Sequence, residues 1–173
     1  NFINSCLEKI TEVFKFYIHE KEFLNGSSEK IDFIMSILSN YTPNCLAKAQ
    51  VSCKVEDLEK HIRLKNDKFV ENFIKAVKIS KVDTFRAVTH NKGIMNGIDS
   101  VVIATGNDFR SVEAGIHSYA SRGGSYSGLS NAYIKEGYFY FELTVPISVG
   151  TVGGLTKLHP LVNWAHNLLG NPN

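Results

Sequence analysis

Apolar residues recur at intervals of three and four from the start of the chain: Phe2, Ile3, Cys6, Leu7, Ile10, Val13, Phe14, Tyr17 and Ile18. Glu8, Lys9, Glu12 and Lys15 lie between them. This is one face of an amphipathic helix, which Asn25-Gly26-Ser27-Ser28 ends. The helix starts almost at the first residue, with no methionine or entry segment ahead of it, so the start reads as a cut inside a longer protein. Ile31 to Leu38, with Phe33, Ile34 and Ile37, predicts a short strand. Ala47, Ala49, Val51, Cys53 and Val55 alternate with Lys48, Gln50, Ser52 and Lys54, the period of a half-buried strand. Phe69, Val70, Phe73, Ile74 and Val77 predict a second helix.

A third helix carries Ile94, Met95, Ile98, Val101, Val102 and Ile103 and has almost no polar face, which predicts a buried position at the centre of a large fold. Gly93 and Gly97 would let another backbone approach it closely. Gly106-Asn107-Asp108 stops this helix, and either Asn107 or Asp108 could cap the next, which carries Val112, Ile116 and Tyr119. Ser121 to Gly128 reads as a loop, and Ala132–Ile134 with Tyr138–Val145 as a hairpin turning near Glu136-Gly137. The glycine-rich stretch Gly150 to Gly154 leads to a last helix with Pro160 early. Leu161, Val162, Trp164, Leu168 and Leu169 are expected inward there, with Gly170 as the stop. Gly170-Asn171-Pro172-Asn173 reads as a loop leading onward, so the end is also expected to be a cut.

Composition narrows the function classes. The 173 residues are 43% hydrophobic and 21% charged, ordinary values for a globular chain. A net charge of +2 leaves too little positive potential for a nucleic-acid partner. No apolar run reaches the roughly 18 residues of a membrane span, and no basic start leads into an apolar run, so neither a membrane segment nor a signal peptide is expected. Cys6, Cys45 and Cys53 are odd in number and lack a CxxC spacing. They argue against a disulfide framework or a cysteine zinc site and suit a reducing cytoplasm. The six histidines form no HExxH pair; His159 and His166 share a helix face at most and are expected at the surface, so no metal is expected. Asn25-Gly26-Ser27 and Asn40-Tyr41-Thr42 match the glycosylation pattern, but without a secretory signal they carry no weight.

Two stretches could carry chemistry. Arg86, His90, Asn91, Lys92, Asn96, Asn107 and Asp108 are polar residues in an otherwise apolar setting. A lysine at the edge of a buried helix is costly unless paired, and Asp108 is one possible partner. Spacing alone accounts for these charges equally well as a structural ion pair or a solvated helix end. Gly150 to Gly154 could bring backbone N–H groups to a phosphate or a planar ring, but it is not G-x-G-x-x-G, and a tight strand-to-helix turn also explains it.

Taken together, Thr89-His90-Asn91-Lys92-Gly93-Ile94-Met95-Asn96-Gly97-Ile98-Asp99, Ala104-Thr105-Gly106-Asn107-Asp108 and Gly150-Thr151-Val152-Gly153-Gly154-Leu155-Thr156-Lys157 resemble the 3-hydroxy-3-methylglutaryl-coenzyme A reductases. The HNKGIMNG wording resembles the second, bacterial and archaeal class rather than the membrane-anchored first class, and the resemblance runs across essentially the whole chain. It implies an α+β fold: the end of a small ferredoxin-like cofactor-binding domain over residues 1–40, then a large mixed α/β substrate domain over residues 41–173 with a buried central helix. It implies NADPH or NADH as cofactor, coenzyme A as part of the substrate, and a homodimer or higher oligomer with sites between subunits. By resemblance Lys92 and Asp108 are catalytic, Arg86 and Asn96 bind substrate, and Asn1, Asn40, Val152, Gly153 and Gly154 bind cofactor.

The chain departs from the family pattern in two places. The family's catalytic glutamate precedes the cofactor motif and its catalytic histidine follows the final helix, and neither segment is present among these residues. The expectation is a fragment of an oxidoreductase interconverting hydroxymethylglutaryl-CoA and mevalonate, inactive alone. The second reading is a truncated, non-catalytic relative that binds coenzyme A or a partner subunit.

Overall fold

The computed structural model describes residues 2–25, 31–61, 68–151, 155 and 158–171. The chain divides into two compact units, Asn1–Ser39 and Asn40–Asn173. The first contains helix α1 (Phe2–Asn25). Residues 31–39 form neither strand nor helix, contrary to the strand expected from the apolar run there. A strand needs a neighbour to complete its hydrogen bonds, and the described residues of this unit offer none. Side chains tie the segment to α1 instead: Thr11 Oγ1 lies 2.8 Å from Ser36 Oγ, and the Phe14 and Phe33 rings meet edge-on at 6.1 Å. Ile34, Met35 and Ile37 remain exposed.

The second unit is α+β. Its elements are β1 (Leu46–Lys54), α2 (Val55–His61), α3 (Phe69–Val82), α4 (Thr84–Ala104), α5 (Phe109–Ala120), β2 (Ser130–Lys135), β3 (Tyr138–Pro146) and α6 (Pro160–Leu168). The strands form an antiparallel sheet in the order β1-β3-β2. The β2–β3 hairpin turns at Glu136-Gly137, as the sequence predicts. Both residues take positive φ (52° and 77°), the type I′ geometry that matches strand twist. Strand β1 pairs along its length with β3 but is exposed except at Cys53, which packs against the α3 cluster, so most of its apolar face, Val51 included, is open among the described residues.

Two apolar clusters hold this unit. Val70 and Val77 of α3 pack with Ala132 and Phe139, and the Phe73 ring meets Phe139 and Phe141 edge-on at 5.5 Å each. Met95 and Val102 of α4 pack with Val112, Ile116 and Tyr119 of α5, Leu129 and Val145.

Helix α4 is longer than the apolar run suggested and buried along one face only. Ala87, Asn91, Met95 and Val102 form its inner face. Phe85 (88% exposed), Val88, Val101 and Ile103 lie open. The expected all-round burial therefore fails within this chain, because the described residues pack against one side of the helix. The last helix shows the same difference. Pro160 does open α6 and Gly170, at φ 78°, does end it, but only Val162 and His166 face inward while Leu161, Trp164, Leu168 and Leu169 are exposed. One helix face a turn apart is all that a single packing partner can cover.

Candidate active site

Helix α4 begins at Asp83, whose carboxylate accepts from the Arg86 N–H at 3.0 Å, a side-chain N-cap. Arg86 thus sits in the first turn, exposed. Lys92 and Asn96 follow on the exposed face, four residues apart and so one above the other. Six residues separate Arg86 from Lys92, which puts it about 9 Å along the axis and about a third of a turn round. Only its long side chain could bring it to the same substrate.

The inner face of the same turn is anchored in the loop before β2. Asn91, fully buried, donates from Nδ2 to Ser127 O at 3.0 Å and accepts the Leu129 N–H on Oδ1 at 3.0 Å. His90 Nε2 lies 2.7 Å from Ser130 Oγ. Burial, helped by the charges of Arg86 and Lys81, holds the His90 pKa below the usual histidine range. Adjacent residues thus divide the work: Asn91 fixes α4, and Lys92 is presented outward.

Asp108, not Asn107, caps α5, accepting from the Arg110 and Ser111 N–H groups at 3.1 and 3.3 Å. Asn107 instead accepts the Gly150 N–H at 2.9 Å, which fastens the start of the glycine-rich stretch to the turn between α4 and α5. Asn40 is brought to the same place, because Ser111 Oγ donates to its Oδ1 at 2.9 Å. Its backbone lies so close to α5 that a Cβ on Gly115 would sit 2.8 Å from Asn40 O. The first turn of α5 therefore gathers Asp108, Ser111 and Asn40. Lys92 and Asp108 form no ion pair with each other in this structure; Asp108 pairs with Arg110, whose Nε is 3.6 Å away. Asn1, Val152, Gly153 and Gly154 lie outside the described residues.

An apolar cavity of about 400 Å³ opens beside this turn, lined by Gly97, Ile98 and Val101 of α4, by Val149, Gly150 and Thr151, and by His166. His166 is buried rather than at the surface, its Nε2 3.3 Å from Thr105 O, because Val162 and His166 together form the inward face of α6. Sequence reasoning passed over Ser111 and Gly115, and named Asn91 only as a polar residue in an apolar setting, without its anchoring role. That role was within reach, since Asn91 falls on the helical period of Ala87, Met95 and Val102 once that period is started at Ala87. Among the described residues no group of three His, Cys, Asp or Glu is placed to hold a metal ion, and no helix is long and apolar enough to cross a membrane.

A model of the hydroxymethylglutaryl-coenzyme A reductase family matches residues 1–173. The chain belongs to that family. The 3-hydroxy-3-methylglutaryl-coenzyme A reductase of Archaeoglobus fulgidus is 35% identical over 171 residues, 98% of this chain and 35% of that protein. A probable reductase of Borreliella burgdorferi is 36% identical over 163 residues, 92% of this chain and 34% of that one. The chain thus spans about a third of the length of these reductases. Among solved structures, a Streptococcus pneumoniae reductase aligns with a TM-score of 0.74 at 42% identity, covering 81% of this chain and 34% of its own. A class II reductase of that organism, bound to NADPH in open conformations, aligns at 0.75 and 42%, covering 81% of this chain and 38% of its own. The expected membership of the class II reductases is therefore met.

Proposed function

We propose that this chain supplies the lysine and the aspartate of an oxidoreductase that interconverts 3-hydroxy-3-methylglutaryl-CoA and mevalonate plus CoA. The observation that carries the reading is the exposure of Lys92 and Asn96 on α4, together with an α5 N-terminus, just after the end of α4, that gathers Asp108 and Asn40. Residues 1–40 belong in this reading to a small, ferredoxin-like cofactor domain and residues 41–173 to the large substrate domain of a cytoplasmic enzyme.

Reduction of a thioester places negative charge on the substrate oxygen. The Lys92 ammonium, with Asn96 one turn on, stabilises that charge and donates the proton. Asp108 favours the protonated lysine once the site is covered and water leaves. Arg86 meets the acyl carboxylate with its guanidinium fork. The donor set fits a nicotinamide cofactor. The apolar cavity beside Gly150 suits a flat ring, and the carboxamide of Asn40, its oxygen fixed by Ser111, keeps an N–H₂ to offer. Asn1, Asn40, Val152, Gly153 and Gly154 would hold NADPH or NADH, which supplies the hydride. The exposed Phe85 and Val88, two turns and one turn before Lys92 on the same face of α4, support a second subunit closing over it, hence a homodimer or larger assembly.

The test is single-turnover reduction in the full-length enzyme. Asp108→Asn keeps a good N-cap, so stability should hardly change while the rate falls roughly 100-fold or more. Lys92→Ala should cost at least as much, and the double variant little more than either. Multiplicative losses in the double variant would show that the two do not act as a unit. Unchanged rates would remove them from the reaction.

A further inference from the structure

The Ser121–Gly128 loop and the end of α3 enclose a polar pocket of about 310 Å³ that the proposed reaction does not use. Lys81, Arg122, Ser125, Ser127 and Gly128 line it. Both of its charged groups are cations, and no carboxylate is among its lining residues. Lys81 is partly buried, with Nζ donating to Gly128 O at 2.6 Å, and burial together with the Arg122 charge lowers its pKa from the usual lysine range. The Arg122 guanidinium lies 3.7 Å from the Tyr119 ring centroid and donates to Tyr119 O at 2.8 Å. These bonds occupy one N–H on each side chain, leaving Lys81 with two donors and Arg122 with most of its five.

Holding two like charges in a concavity without an acid costs free energy that a bound anion would recover. The walls are firmly set. The Gly128 N–H donates to Ser80 O at 2.8 Å, and any Cβ at Gly128 would run into the Ser80 hydroxyl and come within 2.9 Å of Ser80 Cβ. Ser127 N–H reaches Ala120 O at 3.1 Å and its hydroxyl reaches Lys81 O at 3.2 Å. The Ser125 hydroxyl has no hydrogen-bond partner among the described residues and is available at the rim.

We propose that this pocket binds a phosphate group, free or as the phosphomonoester of a nucleotide, between Lys81, Arg122 and Ser125. The loop that would be braced is the one Asn91 grips through Ser127 and Leu129, so occupancy also stiffens the setting of α4. The proposal stands whether or not the reductase reading holds.

The experiment compares inorganic phosphate with chloride at matched ionic strength, on the full-length protein, by calorimetric titration and thermal unfolding. Wild type should bind phosphate saturably with a rise in Tm, and Arg122→Gln should bind at least roughly tenfold more weakly for the loss of a charge-assisted donor. Ser125→Asp places a carboxylate between the cations, so it should raise Tm without phosphate and abolish the response. It keeps the test open if Lys81→Gln, which also loses the Gly128 bond, fails to fold. Coenzyme A against dephospho-coenzyme A, and NADPH against NADH, then identify the source. A preference that Arg122→Gln removes assigns the phosphomonoester to that ligand, and equal binding assigns the site to free phosphate. The proposal is overturned by a wild type that does not distinguish phosphate from chloride, or by variants that respond as wild type does.

Discussion

Ser111 holds Asn40: its hydroxyl donates to Asn40 Oδ1 at 2.9 Å while its own N–H donates to Asp108 Oδ1 at 3.3 Å. One serine in the first turn of α5 thus positions two of the residues assigned to the reaction. Ser111→Ala should cost about 1 kcal/mol of stability, the worth of one hydrogen bond. In the full-length enzyme it should also raise KM for the nicotinamide cofactor more than for the acyl-CoA. Urea denaturation and steady-state kinetics check both, and an unchanged cofactor KM would take Asn40 out of that subsite.

Glycine replacements should separate close approach from open surface. An alanine in place of glycine inside a helix ordinarily stabilises by roughly 0.5–1 kcal/mol. Gly93, where an added Cβ would meet nothing within 4 Å, should follow that rule in Gly93→Ala. Gly115→Ala should go the other way, because its methyl would press on Asn40 O. Opposite signs in paired chemical denaturation are the expected result. A stabilising Gly115→Ala would mean that the 39–41 backbone yields easily.

Asn91→Ala removes a buried side chain and leaves both Ser127 O and the Leu129 N–H without their partner. A loss of about 2–4 kcal/mol is expected, large for one residue because a cavity and two unmet polar groups coincide. Asn91→Leu should fill the space without restoring stability, which equilibrium unfolding would detect. Recovery in the leucine variant would show that packing, not hydrogen bonding, sets the cost.

His90 gives the fold a pH dependence of definite sign. Its folded pKa is lowered by burial and by Arg86 and Lys81, so near neutrality and just below it the unfolded chain binds the extra proton. Stability from this residue is complete above the unfolded value of about 6.5 and declines as pH falls through it toward the folded value. His90→Gln, able to keep a bond to Ser130, should flatten the change in urea midpoint between about pH 5 and 7.5. A profile as steep in the variant as in wild type would place the acid sensitivity elsewhere.

Local pattern alone determined much of this chain. The helical stripes of α1, α3 and α5, the hairpin with its Glu136-Gly137 turn, the alternation of β1, and the proline and glycine that bound α6 were all legible, because each follows from backbone geometry and side-chain period over a few residues. The family was legible too, from the wording around Lys92, Asp108 and Gly150. Tertiary structure decided which apolar faces are covered. The apolar run at 31–38 has no strand to pair with among the described residues of its own unit, one face of α4 stays open, and α6 turns Val162 and His166 inward rather than Trp164. It also decided that Asp108 is the cap, that Asn107 receives Gly150, and that Ser111 meets a residue 71 positions away. The physical reason is the range of the forces involved. Period and turn chemistry act between neighbours in sequence, whereas burial and hydrogen-bond partnership depend on what the rest of the chain brings alongside.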